Sequence, residues 1–199
     1  MKFRKFDGDD ETKKSRGNIR LAHHRLRRFL PQLYQPDSLG KILGWISGDR
    51  GFWRRHLERH IARGHRSPAL VVSTVPLLVA AYSREFDWIC LLQFPPVLRD
   101  ELGLEEDDKL LTINLHLTGD ELARDLTYGP AATKRYVNFS PLIADFFSED
   151  VEQIEDQKAA ICEGLWERTA VCAESYLRTY GPTARDGLPT RNEAPADIM

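Results

Sequence analysis

The stretch FDWICLLQF, residues 86–94, reads as a strand covered on both sides. Phe86, Trp88, Cys90, Leu92 and Phe94 share one face by the two-residue period of extended chain, and Ile89 and Leu91 fill the middle of the other. Pro95 and Pro96 end it. Upstream, Ala69–Thr74 and Leu77–Tyr82 have the same strand character, with Pro76 marking a bulge, an edge or a break between them, and Ser83 to Glu85 form a candidate turn. Downstream, Lys109–Leu117 alternates Leu111, Ile113, Leu115 and Leu117 with Thr112, Asn114 and His116, which predicts one buried and one polar face.

Helical patterns flank this strand-rich centre. The period turns helical from Asn18 to about Leu30, Pro31 and Pro36 bracket a loop, and Leu39–Ile46 suits a short helix. Asp49 is placed as the N-cap of a helix running to about Arg63, with Phe52, Trp53, Leu57 and Ile61 at helical spacing and Gly64 as its stop. Within the centre, Val97–Leu104 reads as a short helix and Thr118–Glu121 as a capping box opening another. Tyr136–Phe139 reads as a short strand, and Ser140 followed by Pro141 as a helix start. From Glu149 to Thr179, Ile154, Ile161, Leu165, Cys172 and Tyr176 step by seven and four. This predicts one long amphipathic helix of roughly 30 residues, about 45 Å. Gly181 and Pro182 stop it.

The order helices, strands, helices gives an α+β fold, a small mainly antiparallel sheet packed by N-terminal helices and a long C-terminal helix. Residues 1–17 are expected to be disordered. A single domain is expected over 18–180 (a basic helical part 18–66, a sheet-forming part 67–139, a helical part 140–180). A disordered tail is expected over 181–199.

The charge is split. Residues 1–66 carry 17 Lys/Arg against 7 Asp/Glu and residues 67–199 carry 11 against 23, although the whole chain sums to −2. Such asymmetry suits a basic arm for an acidic partner, or two parts that attract each other. The start of the chain has no apolar run of the secretory type, and the apolar stretch Ala69–Tyr82 is too short to span a bilayer as a helix. Cys90, Cys162 and Cys172 are an odd number in no metal-ligand pattern, which reads as free thiols in the cytoplasm.

Three groups of residues are candidate sites. Arg54, Arg55, Arg59, Arg63 and Arg66 form an arginine-rich segment, with Arg55, Arg59 and Arg63 one turn apart; a planar guanidinium suits carboxylate or phosphate. His56 and His60 share a helix face at i, i+4, a spacing used by helical metal sites, but the motif differs from the His-Glu-x-x-His pattern and no third ligand is visible. His116, with Asn114 beside it and Asp87 on a neighbouring strand, is the candidate acid–base cluster. Nucleotide-binding glycine loops, nucleophile elbows, Cys-x-x-Cys pairs and calcium loops are all missing, so no cofactor is expected. These observations favour a non-enzymatic interaction or regulatory protein whose partner is another protein, with no membrane partner and with a homodimer through the 149–180 helix. One alternative is a nucleic-acid-binding protein using the arginine-rich segment 50–66. The other is an enzyme with a pocket around His116.

Overall fold

The structure, a computed structural model, describes residues 19–29 and 49–189, with side chains in the second helix described from Arg55 onward. The predicted disordered segment 1–17 and short helix 39–46 lie outside the described residues. Helix α1 (His23–Phe29) and helix α2 (Asp49–Arg63) precede strands β1 (His65–Thr74), β2 (Leu77–Ser83) and β3 (Trp88–Phe94). Helix α3 (Pro96–Leu102), strand β4 (Lys109–Leu117) and strand β5 (Asn138–Ile143) follow. Helices α4 (Ala144–Phe147), α5 (Val151–Ala159) and α6 (Glu163–Tyr180) lead to a last short strand β6 (Arg185–Asp186).

The strands form one six-stranded sheet in the order β5-β4-β1-β2-β3-β6. Every pairing is antiparallel except β3 with β6. The fold is therefore α+β, and its long C-terminal helix is α6. The sheet curls: Arg185 on β6, at one edge, donates to the carbonyl of Phe139 on β5, at the other edge, at 2.9 Å.

Register fixes the two faces, because directly opposed residues point the same way. Ala69 faces Ala81, which faces Cys90, and Val71 faces Val79, which faces Leu92. These buried side chains line the inside of the curl, closed at one end by Phe146, whose ring meets Phe94 edge-on at 4.7 Å. On the outside, Leu78, Ala80, Tyr82, Ile89 and Leu91 pack against Cys172, Ala173 and Tyr176 of α6. The α6 residues recur at three- and four-residue spacing, so one helix face meets the sheet. Gly181 ends α6 with a positive φ of 65° and a ψ of −157°, a backbone open to glycine, and its amide closes on the Leu177 carbonyl at 2.9 Å.

Several local expectations are corrected. The 149–179 pattern is two helices, α5 lying against β4 and α6 crossing β1–β3, separated by a turn at 160–162. One straight helix could not follow both directions. Ser140 and Pro141 sit inside β5 rather than at a helix start. Pro141 is tolerated there because β5 is an edge strand. Residues 118–121 form no helix. The tail expected to be disordered from 181 is structured as far as 189, because β6 pairs with β3 and Arg185 is fully buried. Leu92 lies opposite Arg185, and the Gly187 amide bonds the Gln93 carbonyl at 2.8 Å.

Candidate functional site

The polar side of β4 is not a solvated face. Thr112, Asn114 and His116 point into the curl and are buried, as are Ser67 and Ser83. Irregular chain at 118–137 folds over them, its ends joined by the Val137 amide on the Leu117 carbonyl at 3.0 Å. Thr112 donates to Asn114 at 2.9 Å, and Asn114 donates to the Tyr82 carbonyl at 2.7 Å. Ser83 Oγ and His116 Nε2 are 2.8 Å apart. His65, Phe86, Tyr136 and Phe139 surround the His116 ring at centroid distances of 5.2, 6.2, 5.0 and 6.0 Å.

A serine beside an imidazole has the composition of a nucleophile and its base, yet this pair is poorly suited to that work. Burial, helped by His65 and His60, pushes His116 down to about 3, where it stays neutral but is a weak base. Its Nδ1 has no hydrogen-bond partner, so no carboxylate orients the ring. Ser83 is fully buried. The arrangement ties β2 to β4 inside the core.

Asp87 does not meet His116. It sits in the β2–β3 turn with φ 49°. Its carboxylate accepts both nitrogens of the Arg168 fork at 2.8 and 2.7 Å, the Tyr82 hydroxyl at 2.7 Å and the Ala131 amide at 3.1 Å. Burial pushes the Asp87 carboxyl up, but these donors outweigh it and hold the group below its ordinary value. A β-carbon at Gly129 would collide with the Asp87 carbonyl, so only glycine allows this approach. Asp87 thus joins the hairpin, the 118–137 segment and α6. Cys90 lies on the same sheet face as His116, but its thiol is directed at Asp125 and is pushed up to about 12 by burial. It is a packed thiol.

His60 is anchored rather than offered to a metal. Its Nε2 bonds the Ile113 carbonyl at 2.8 Å, and burial pushes it down to about 4. His56 meets it edge-on at 6.3 Å and is lowered by burial and by Arg59. Among the described residues no group of three or more His, Cys, Asp or Glu side chains could hold a metal ion. No helix among them is long and apolar enough to cross a membrane.

The arginines divide into two sets. Those near α1 are used internally. Arg20 pairs with Asp150 at 3.0 Å, Arg25 donates to the carbonyls of Asp145 and Ser148 at 3.0 and 3.2 Å, and Arg28 meets Glu101. Together with the Ala22 amide on the Phe147 carbonyl, these contacts dock residues 20–28 onto the α4–α5 region and α3. The basic and acidic parts of the chain do attract each other here. Arg66 is also engaged, donating to Gln157 at 2.8 Å and to the Gly64 carbonyl at 3.2 Å. The side chain of Arg54 lies outside the described residues.

Arg55, Arg59 and Arg63 differ. Leu57, His60 and Ile61 are the buried side of α2, and 100° per residue puts the three arginines on the opposite side. All three are exposed, and none has an ion-pair partner among the described residues. The row runs over two turns, about 12 Å. Sequence reasoning missed Ser83, Asp125, Arg168 and Arg185. Ser83 shares the parity of Val79 and Ala81, a signal that could have placed it inside; the two ion pairs join residues far apart in the chain and leave no local signal. No protein-family model matches the chain, and no curated protein or solved structure matches it.

Proposed function

We propose that this is a non-catalytic interaction protein that recognises a carboxylate-bearing protein surface through Arg55, Arg59 and Arg63. The observation that carries the reading is the contrast between the two arginine sets: arginines beside α1 are spent on the protein's own carboxylates and carbonyls, whereas the α2 row faces outward. A helix that presents guanidinium groups one turn apart matches carboxylates repeated one turn apart on a partner. Nucleic acid is the less suitable partner. Three phosphate contacts supply little of the counterion release that drives such binding. Residues 67–199 carry 23 Asp/Glu against 11 Lys/Arg, an excess that repels a long polyanion. Cys90, Cys162 and Cys172 are unbridged, which suits the cytoplasm.

The test is a titration at low salt of a labelled helical peptide with glutamates at i, i+4, and of a labelled DNA duplex, against the full chain and its R55E/R59E/R63E variant. The expected result is peptide binding that the variant loses by about tenfold or more, with weaker DNA binding. Equal peptide binding by both proteins would overturn the reading. DNA binding that exceeds peptide binding and falls steeply with salt would replace it with the nucleic-acid reading.

A further inference from the structure

The outer face of α6 carries the charge that the α2 row lacks. Trp166, Thr169, Cys172, Ala173 and Tyr176 are the buried side of α6. Helical geometry puts Glu163, Glu167 and Glu174 together on the other side, with Val171 between the last two. All three glutamates are exposed, and Val171 is 52% exposed, one of the few large apolar side chains left in solvent among the described residues. Glu163 is shared with Lys109 of the same chain at 2.9 Å, whereas Glu167 and Glu174 have no ion-pair partner among the described residues. The stripe covers about 16 Å along the helix, enough to span the arginine row of about 12 Å. Arg178, one turn beyond Glu174, marks its end.

We infer that the partner of the α2 row is a second copy of this chain, which lays the Glu163–Glu167–Glu174 face of its α6 across Arg55, Arg59 and Arg63. This inference rests on the proposed carboxylate recognition and names its source. Charge complementarity carries it: the chain holds an outward basic row and an outward acidic stripe of comparable length, on different helices, with Val171 standing where a glutamate one turn after Glu167 would fall. Used reciprocally, α2 of each copy on α6 of the other, the two surfaces close a two-fold dimer in which every contact occurs twice. The aliphatic stems of the arginines would cover Val171, adding an apolar element to the ion pairs.

The experiment is sedimentation velocity on the full chain over a concentration series at low and high salt, with two charge reversals, R55E/R59E/R63E and E163R/E167R/E174R. Wild type is expected to dimerise with rising concentration, more weakly at high salt. Each reversal alone is expected to weaken association by about tenfold or more, because like charges then face each other. An equimolar mixture of the two variants restores opposite charges at both contacts and is expected to give a one-to-one heterodimer. A wild type that stays monomeric throughout, a reversal that leaves association unchanged, or a mixture without heterodimer would each overturn the inference. Circular dichroism checks folding; where a reversal does not fold, Gln at the same positions replaces it, with weakened association expected. Monomeric wild type that still binds the glutamate peptide through its arginines removes the second copy and leaves carboxylate recognition standing.

Discussion

Arg185 and Asp125, 60 residues apart in the chain, form a fully buried ion pair, with Nε 2.5 Å from Oδ2 and Nη2 2.7 Å from Oδ1. The remaining donor Nη1 reaches the Phe139 carbonyl, so the cation is satisfied on three sides. Removing either partner leaves the other charge stranded in the core. We expect R185M or D125L alone to cost about 3–5 kcal/mol in chemical denaturation. The double variant should cost less than the two singles together, because no lone charge remains. Additive losses would show that the pair does not act as a unit.

The clamp at Asp87 gives a second prediction. D87N keeps the shape but loses the charge that Arg168 and Tyr82 hold, and should cost about 1.5–3 kcal/mol. Arg168 is 34% exposed, so R168A should cost less than D87N. The order of the two losses in urea melts is the check.

Acid should destabilise the fold before the carboxylates titrate. His60 and His116 are held neutral, at about 4 and about 3, against an unfolded value of 6.5. The unfolded chain therefore binds more protons as pH falls below 6.5, and stability declines from there until each folded value is reached. The two groups together remove about 2–3 kcal/mol between pH 7 and 5.5. H60Q and H116Q should each flatten the pH dependence by about one proton, whatever they do to stability at neutral pH. An unchanged slope would show that the group is not held neutral.

The arginine row should be indifferent to stability. Exposed side chains without partners contribute within about 0.5 kcal/mol each. At concentrations where the chain is monomeric, R55A, R59A and R63A should leave unfolding nearly unchanged, in contrast to R185M. A large loss would mean that the row is a structural element.

Much of the architecture was legible because it rests on local period. Phe86–Phe94 and Lys109–Leu117 alternate as strands must, and the observed β3 and β4 lie within them. What period cannot give is curvature. The alternation in β4 sorted Thr112, Asn114 and His116 from Leu111, Ile113 and Leu115 correctly. Only the curl decides that the polar set faces inward. The break at 160–162 was hidden for a related reason, since seven- and four-residue steps continue across a one-turn interruption. Arg55, Arg59 and Arg63 were readable as one set because they lie opposite Leu57 and Ile61. Arg66 is close to them in sequence, but α2 has ended by then and Arg66 belongs to β1. Long-range partners such as Ser83 with His116, or Asp87 with Arg168, depend on register and leave no trace in spacing.

The link from Arg185 to Phe139 has a consequence for synthesis. Both edges of the sheet are held by a residue that leaves the ribosome after the five longer strands and six helices of the described residues. Until then Asp125 lacks its counter-charge and β5 an edge contact, so the nascent chain can approach the native topology without completing it. The final step of assembly waits for the segment that carries Arg185, and truncation before residue 185 should trap that unfinished state.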